Sequence, residues 1–327
     1  MPIVLDVACS TQNVIQRSKV MRCYFYGGDL DGKCSAAIVK YRFPDCELIA
    51  INHEDEFPSA EIKRDDTIFM VDFSLPAEKM YKLAVESNLY WIDHHEAAIR
   101  ECEAWEAGNS TNIPLSGGCR DVNKAACELT WEYLFPDREI PRAVAMLGRY
   151  AVGDLADEKV LPFQMRARLD ELDPIKEGVM AKWICVLGQD YAHLPQLLEN
   201  TIRDGRLLIR FDKQQKAKYA RTYAFNTELS VQATPGSGSP NREAFSGIYK
   251  AIALNIGHAS SKVFDSVYDP AKHDLMIAFC RRPDHKWDLS LYSTKSEVDA
   301  SIIAKAFGGS GHKGDASTQV ETLPFDY

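Results

Sequence analysis

The sequence predicts a two-domain α/β protein: a larger N-terminal domain on a mostly parallel sheet, a smaller α/β C-terminal domain, and a long helix joining them. Three observations predict it. The 327 residues exceed a usual single domain. From about Met21 to His95, short apolar runs alternate with helical stretches, the rhythm of a parallel sheet with crossover helices. A charged, strongly helical stretch then covers Leu194 to Phe225, and strand-like runs resume beyond it. The expected domains are residues 1–200 and 227–327, with 201–226 as the connecting helix.

In chain order, Cys23-Tyr24-Phe25-Tyr26 reads as a strand and Lys33 to Phe43 as a helix. Leu48 to Ile51 and Thr67 to Val71 are the next strands. Pro76, just after Ser74 and with Glu78 in the first turn, opens a helix to Ser87, and Leu89 to Ile92 returns to the sheet. Two more helices are expected over Val122 to Phe135 and Pro141 to Val152. On the connecting helix, Arg203, Arg206, Arg210 and Lys213 recur at three- and four-residue spacing, with Asp204 and Asp212 interspersed. That pattern reads first as a solvated charged face and second as a strip meeting an anionic substrate. Thr234 to Pro240 reads as a flexible loop. Strands are expected over Ala251 to Asn255, Leu275 to Phe279 and Asp288 to Tyr292. An amphipathic helix from Val298 to Phe307 leads into the glycine-rich loop Gly308 to Gly314.

Composition narrows the function classes. A net charge of −9 argues against a protein that grips long nucleic acid over its whole surface, because such binding needs many Lys and Arg. Nine cysteines, odd in number and never spaced as CxxC, fit neither a disulfide framework nor a zinc knuckle and favour a reducing cytosol. Asp6 and polar neighbours stand where a signal peptide needs an apolar core. No run approaches the ~18 apolar residues of a membrane span. A cytoplasmic protein without a membrane partner is expected, with homodimerisation left open.

The chemistry concentrates where expected strands end. Gly27-Gly28-Asp29-Leu30-Asp31-Gly32 follows a strand and opens a helix, Asp72 closes the next strand, and Asp93-His94-His95 closes Leu89 to Ile92. In open α/β sheets that edge is where ligands bind. Adjacent carboxylates and imidazoles repel or compete unless a cation joins them. A mixed oxygen and nitrogen set without thiolate favours Mn²⁺ or Mg²⁺ over structural zinc. His53 with Glu54-Asp55-Glu56 reads as a polar turn, and Trp131, Tyr133 and Phe135 as core packing.

These motifs resemble the DHH phosphoesterase superfamily over most of the chain, and the Gly308 to His312 loop resembles the GGGH loop of its DHH-associated C-terminal domain. The resemblance implies hydrolysis of short RNA or DNA oligonucleotides or small (di)nucleotides by two Mn²⁺ ions, with Mg²⁺ as a substitute, in a cleft between the domains. It implies that Asp29 and Asp72 hold one ion, that Asp31, Asp72 and His94 hold the other, and that Asp72 bridges. His95 would serve the leaving oxygen and Asp93 would orient the imidazoles. Gly309, Ser310, Gly311, His312 and Lys313 would hold the anionic end of the substrate.

Besides Ser310 and Ser317 in the glycine-rich segment, three positions that bear on activity depart from the family pattern. Tyr26 stands where many members carry histidine. In strict register Ala151 occupies the place of a further metal-binding aspartate, with Asp154 as the substitute ligand. Asp315 stands near the phosphate loop, where small residues are usual. They define an alternative, a degenerate member that binds a nucleotide or metal as a sensor or partner module. A single-strand exonuclease is the second alternative.

Overall fold

The computed structural model describes residues 20–109, 115, 117–188, 193–232 and 246–327. The loop expected over Thr234 to Pro240 lies outside them. The chain divides into two compact units, Met1–Leu208 and Ile209–Tyr327. Among the described residues no helix is long and apolar enough to cross a membrane.

The first unit is built on four parallel strands in the order β2-β1-β3-β4: β1 (Met21–Tyr26), β2 (Glu47–Ile51), β3 (Thr67–Val71) and β4 (Asn88–Ile92). Strand side chains alternate between faces, and the sequence supplies apolar residues at both parities. Cys23, Phe25, Phe69, Val71, Tyr90 and Ile92 enter the core on one face. Tyr24, Ile68, Met70, Leu89 and Trp91 enter the core on the other. The first face is covered by α1 (Leu30–Arg42) and by helices that follow β4; the second is covered by α2 (Ala77–Glu86) and α3 (Glu96–Gly108). Tyr81 of α2 stacks on Trp105 of α3 with centroids 4.3 Å apart. After β1 the chain adds β2 on one side and then crosses to add β3 on the other, so the switch point lies beyond the ends of β1 and β3, where such folds bind ligands.

The helices that follow are α4 (Ala126–Leu134), α5 (Arg142–Ala151), α6 (Val160–Ala167) and α7 (Val179–Leu187). Trp131 is buried and stacks on Phe135 at 4.5 Å, as core packing requires. Sequence periodicity did not assign α3, α6 or α7. Of these, α6 has eight residues and α7 nine, short for a helical period to stand out.

The long helix α8 (Leu194–Tyr223) spans 30 residues and crosses the division after Leu208. The second unit is a six-stranded sheet in the order β5-β6-β7-β8-β10-β9. Its strands are β5 (Phe225–Gln232), β6 (Ser246–Asn255), β7 (Leu275–Arg281), β8 (Trp287–Tyr292), β9 (Ser310–His312) and β10 (Asp315–Val320), with α9 (Ala300–Ala306) before the last hairpin. The β6–β7 pair alone among its pairings is parallel. Two expectations change here. β5 starts at Phe225, where the helical reading had its last residue. The glycine-rich segment is a β-hairpin, not a loop, because Ser310 to His312 pair with Asp315 to Ser317.

Candidate metal centre

Asp29 ends the approach from β1 as the N-cap of α1. Its Oδ1 accepts the amides of Asp31 at 3.0 Å and Gly32 at 3.1 Å. Gly32 is required to be small, since a Cβ there would lie 2.1 Å from the Tyr26 carbonyl oxygen. Asp31 points away from its own helix and caps another: Oδ2 accepts the Ala126 amide at 3.1 Å and Oδ1 accepts the Cys127 amide at 2.7 Å, at the N-terminus of α4. Burial raises its pKa, and the Cys127 hydrogen bonds and His94 only partly offset that.

Asp72 leaves β3 with φ of 51°, an uncommon left-handed conformation for a residue with a side chain. Its amide donates to the Ile92 carbonyl at 3.0 Å, which ties the turn to β4. The carboxylate is 3% exposed, and among the described residues neither oxygen accepts a hydrogen bond. His94 Nε2 lies 3.3 Å from Asp72 Oδ1 and 3.5 Å from Asp31 Oδ2, close enough to share a ligand but without hydrogen-bonding geometry to either. Burial, then the neighbouring charges of Asp31 and Asp29, push the Asp72 pKa up to about 10.

Asp93 is treated differently. It is fully buried yet accepts the Trp91 indole N–H at 3.2 Å, the His94 and His95 amides at 2.7 and 3.2 Å, and meets His95 Nδ1 at 2.6 Å. Burial alone would raise its pKa; the hydrogen bonds from His95 and the two amides outweigh it and hold the pKa below the usual value. The His95 pKa is raised, first by its hydrogen bond to Asp93. Its side chain is 50% exposed.

The ligating atoms of Asp72, His94 and His95 lie within 4.8 Å of one another. A buried carboxylate with two orphaned oxygens beside an imidazole nitrogen is unfavourable without a cation, and it fits a divalent ion with oxygen and nitrogen ligands. Asp31 and Asp29 border that group through His94 and through their charge on Asp72. Asp154 is not brought to it. The α5 helix runs on to Ala151, Gly153 turns with φ of 76°, and Asp154 pairs with Arg149 Nε at 2.8 Å while its other oxygen accepts the Ala156 amide. Asp154 thus sits in an ion pair at its own helix end.

Sequence reading missed the residues that hold the ligands. Trp91 fixes Asp93, and the Arg120 guanidinium sits 5.2 Å over the Trp91 ring and donates to the carbonyls of Trp91, Gly117 and Leu115. The tryptophan two residues before Asp93 was the available signal. Tyr26 lies tilted against His53 at 5.6 Å, and His53 stacks on Phe73 at 5.3 Å, next to Asp72 in the chain.

In the second unit, Gly308 has φ of 81° and closes α9, with the Gly309 amide donating to Ala304. Ser310, Gly311, His312 and Lys313 are exposed on the terminal hairpin, and Asp315 pairs directly opposite His312. Gly308, Gly309 and Ser310 border a polar groove of 490 Å³ with His258, Cys280 and Asp288. Tyr292 and Ser293 are engaged elsewhere, donating to the carbonyls of Ala259 and Asp274.

No family model matches the chain. An uncharacterised protein of Acanthamoeba polyphaga mimivirus is 21% identical over 344 aligned residues, covering 92% of this chain and 68% of that one. Among solved structures, a pGpG-specific phosphodiesterase, PggH from Vibrio cholerae, aligns over 92% of this chain and 93% of its own at 14% identity and a TM-score of 0.49. The exonuclease RecJ bound to manganese aligns over 94% and 88% at 15% identity and a TM-score of 0.40. An exopolyphosphatase-related protein from Bacteroides fragilis aligns over 95% and 89% at 10% identity and a TM-score of 0.35. These are distant likenesses, and the weight rests on the residues themselves. The acidic motifs, in order along the chain, converge on Asp72 at the switch point of a parallel sheet.

Proposed function

We propose that the protein is a Mn²⁺-dependent phosphoesterase that hydrolyses short oligonucleotides or small dinucleotides. The observation that carries this reading is the buried carboxylate of Asp72, which accepts no hydrogen bond among the described residues and lies beside His94 Nε2. Asp29, Asp31, Asp72 and His94 would hold the ions, with Asp72 shared. Bound there, divalent ions supply a water of lowered pKa and neutralise charge building on the phosphoryl group.

The chain's own residues supply the rest. Asp93, saturated with donors and ionised, fixes the His95 ring through Nδ1 and so leaves Nε2 as the proton-bearing atom on the half-exposed side. His95 then protonates the leaving oxygen, a role that its raised pKa suits near neutral pH. Gly309, Ser310, Gly311, His312 and Lys313 would contact the substrate phosphate, with the Lys313 ammonium as the cation.

The Arg149–Asp154 pair favours a second reading, in which a centre short of one carboxylate binds nucleotide and metal without turnover. Incubating the purified protein in Mn²⁺ with dinucleotides and four- to five-nucleotide RNAs separates the two. Product formation that Asp72→Ala abolishes supports the enzyme; tight nucleotide binding without product overturns it. Activity that rises with chain length would mark a single-strand exonuclease.

A further inference from the structure

The two halves of α8 differ in charge. Before the division, Arg203 pairs with Asp204 and Arg206 with Glu158. From Ile209 to Tyr223 there are five basic residues, Arg210, Lys213, Lys216, Lys218 and Arg221, against a single acid, Asp212. Lys216 takes that acid at 2.7 Å, and the other four make no ion pair among the described residues.

One of the unpaired cations, Lys218, shares a helix face with two aromatic rings. Gln215, Lys218, Tyr219, Thr222 and Tyr223 follow the spacing of one helix face. The Tyr219 and Tyr223 rings lie 4.8 Å apart and are 37% and 58% exposed. Tyr219 is held in place because its hydroxyl donates to the Asn255 carbonyl at 2.9 Å. With Ile256 and Val263 this face walls a groove of 450 Å³. Lys262, beside Val263 in the chain, is exposed and unpaired among the described residues.

We propose that this face of α8 binds single-stranded nucleic acid, with bases stacked on Tyr219 and Tyr223 and phosphates on Lys218 and Lys262. Stacking platforms interleaved with cations are how single strands are held without sequence preference. In a chain of net charge −9 the rest of the surface opposes a polyanion, which confines binding to such a strip. The inference rests on the phosphoesterase reading only in choosing a polynucleotide over other polyanions.

Fluorescence anisotropy of a fluorescein-labelled 15-nucleotide oligouridylate tests it, with the full chain in EDTA so that no turnover intervenes. Affinity should fall as salt rises. Lys218→Glu with Lys262→Glu should weaken binding about tenfold or more, and Tyr219→Leu with Tyr223→Leu about 5- to 100-fold while leaving the salt dependence unchanged. Thermal melts check folding, and Lys218→Ala with Lys262→Ala replaces a charge-reversal variant that fails to fold. Unchanged affinity in these variants, or binding to phosphatidylserine vesicles without binding RNA, overturns the proposal. Dinucleotide hydrolysis in Mn²⁺ is followed separately. RNA binding lost in the variants of a protein that hydrolyses nothing keeps the surface and sinks the enzyme; hydrolysis with variant-insensitive RNA binding does the reverse.

Discussion

Asp72 and Asp93 end neighbouring parallel strands and are equally hidden from solvent, yet they are opposites. Asp93 is saturated by an indole, two amides and an imidazole and keeps its charge. Asp72 accepts nothing among the described residues, and its pKa is driven up to about 10. A buried carboxylate is costly unless it is compensated. One strand end is compensated from within the fold and serves to position; the other is left for a cation.

The largest test of that contrast is Asp72→Ala, which should lower turnover by about 10³-fold or more and abolish Mn²⁺ binding measured by calorimetry. Next comes pH. Unfolded, Asp72 returns to a pKa of about 3.9, so between that value and about 10 the folded, metal-free chain holds a proton that the unfolded chain releases. Stability in EDTA should therefore fall as pH rises through this window, read as a declining melting temperature. Mn²⁺ or Asp72→Asn should flatten the decline.

Asp93→Asn should leave Mn²⁺ bound but cost about 10- to 100-fold in kcat. Because Asp93 raises the His95 pKa, the alkaline limb of the pH–rate profile should also move to lower pH. Trp91→Phe removes one donor from Asp93 and should cost about 1 kcal/mol in chemical denaturation, with a modest loss of kcat. Asp154→Ala should be the mildest, leaving Mn²⁺ affinity and turnover unchanged, because its partner is Arg149.

The strand ends were legible because each is a short apolar run stopped by an acid: Val71 then Asp72, Ile92 then Asp93. The parallel sheet and the long helix were legible for the same reason of period. What escaped was held by contacts remote in sequence or too short to show a period. Asp31 caps a helix 95 residues away, and Arg149 claims Asp154 through geometry at a helix end that no spacing shows. Ser310 to His312 carry no strand propensity and become a strand only because Asp315 to Ser317 pair with them.

The carboxylate of Asp31 faces two ways. It anchors the start of α4 through two amides and lies 3.5 Å from His94 Nε2 at the proposed centre. An ion that drew electron density from this group would weaken its grip on α4, and by thermodynamic reciprocity a loosened helix would alter ion affinity in equal measure. Hydrogen exchange at the Ala126 and Cys127 amides thus becomes a remote gauge of loading.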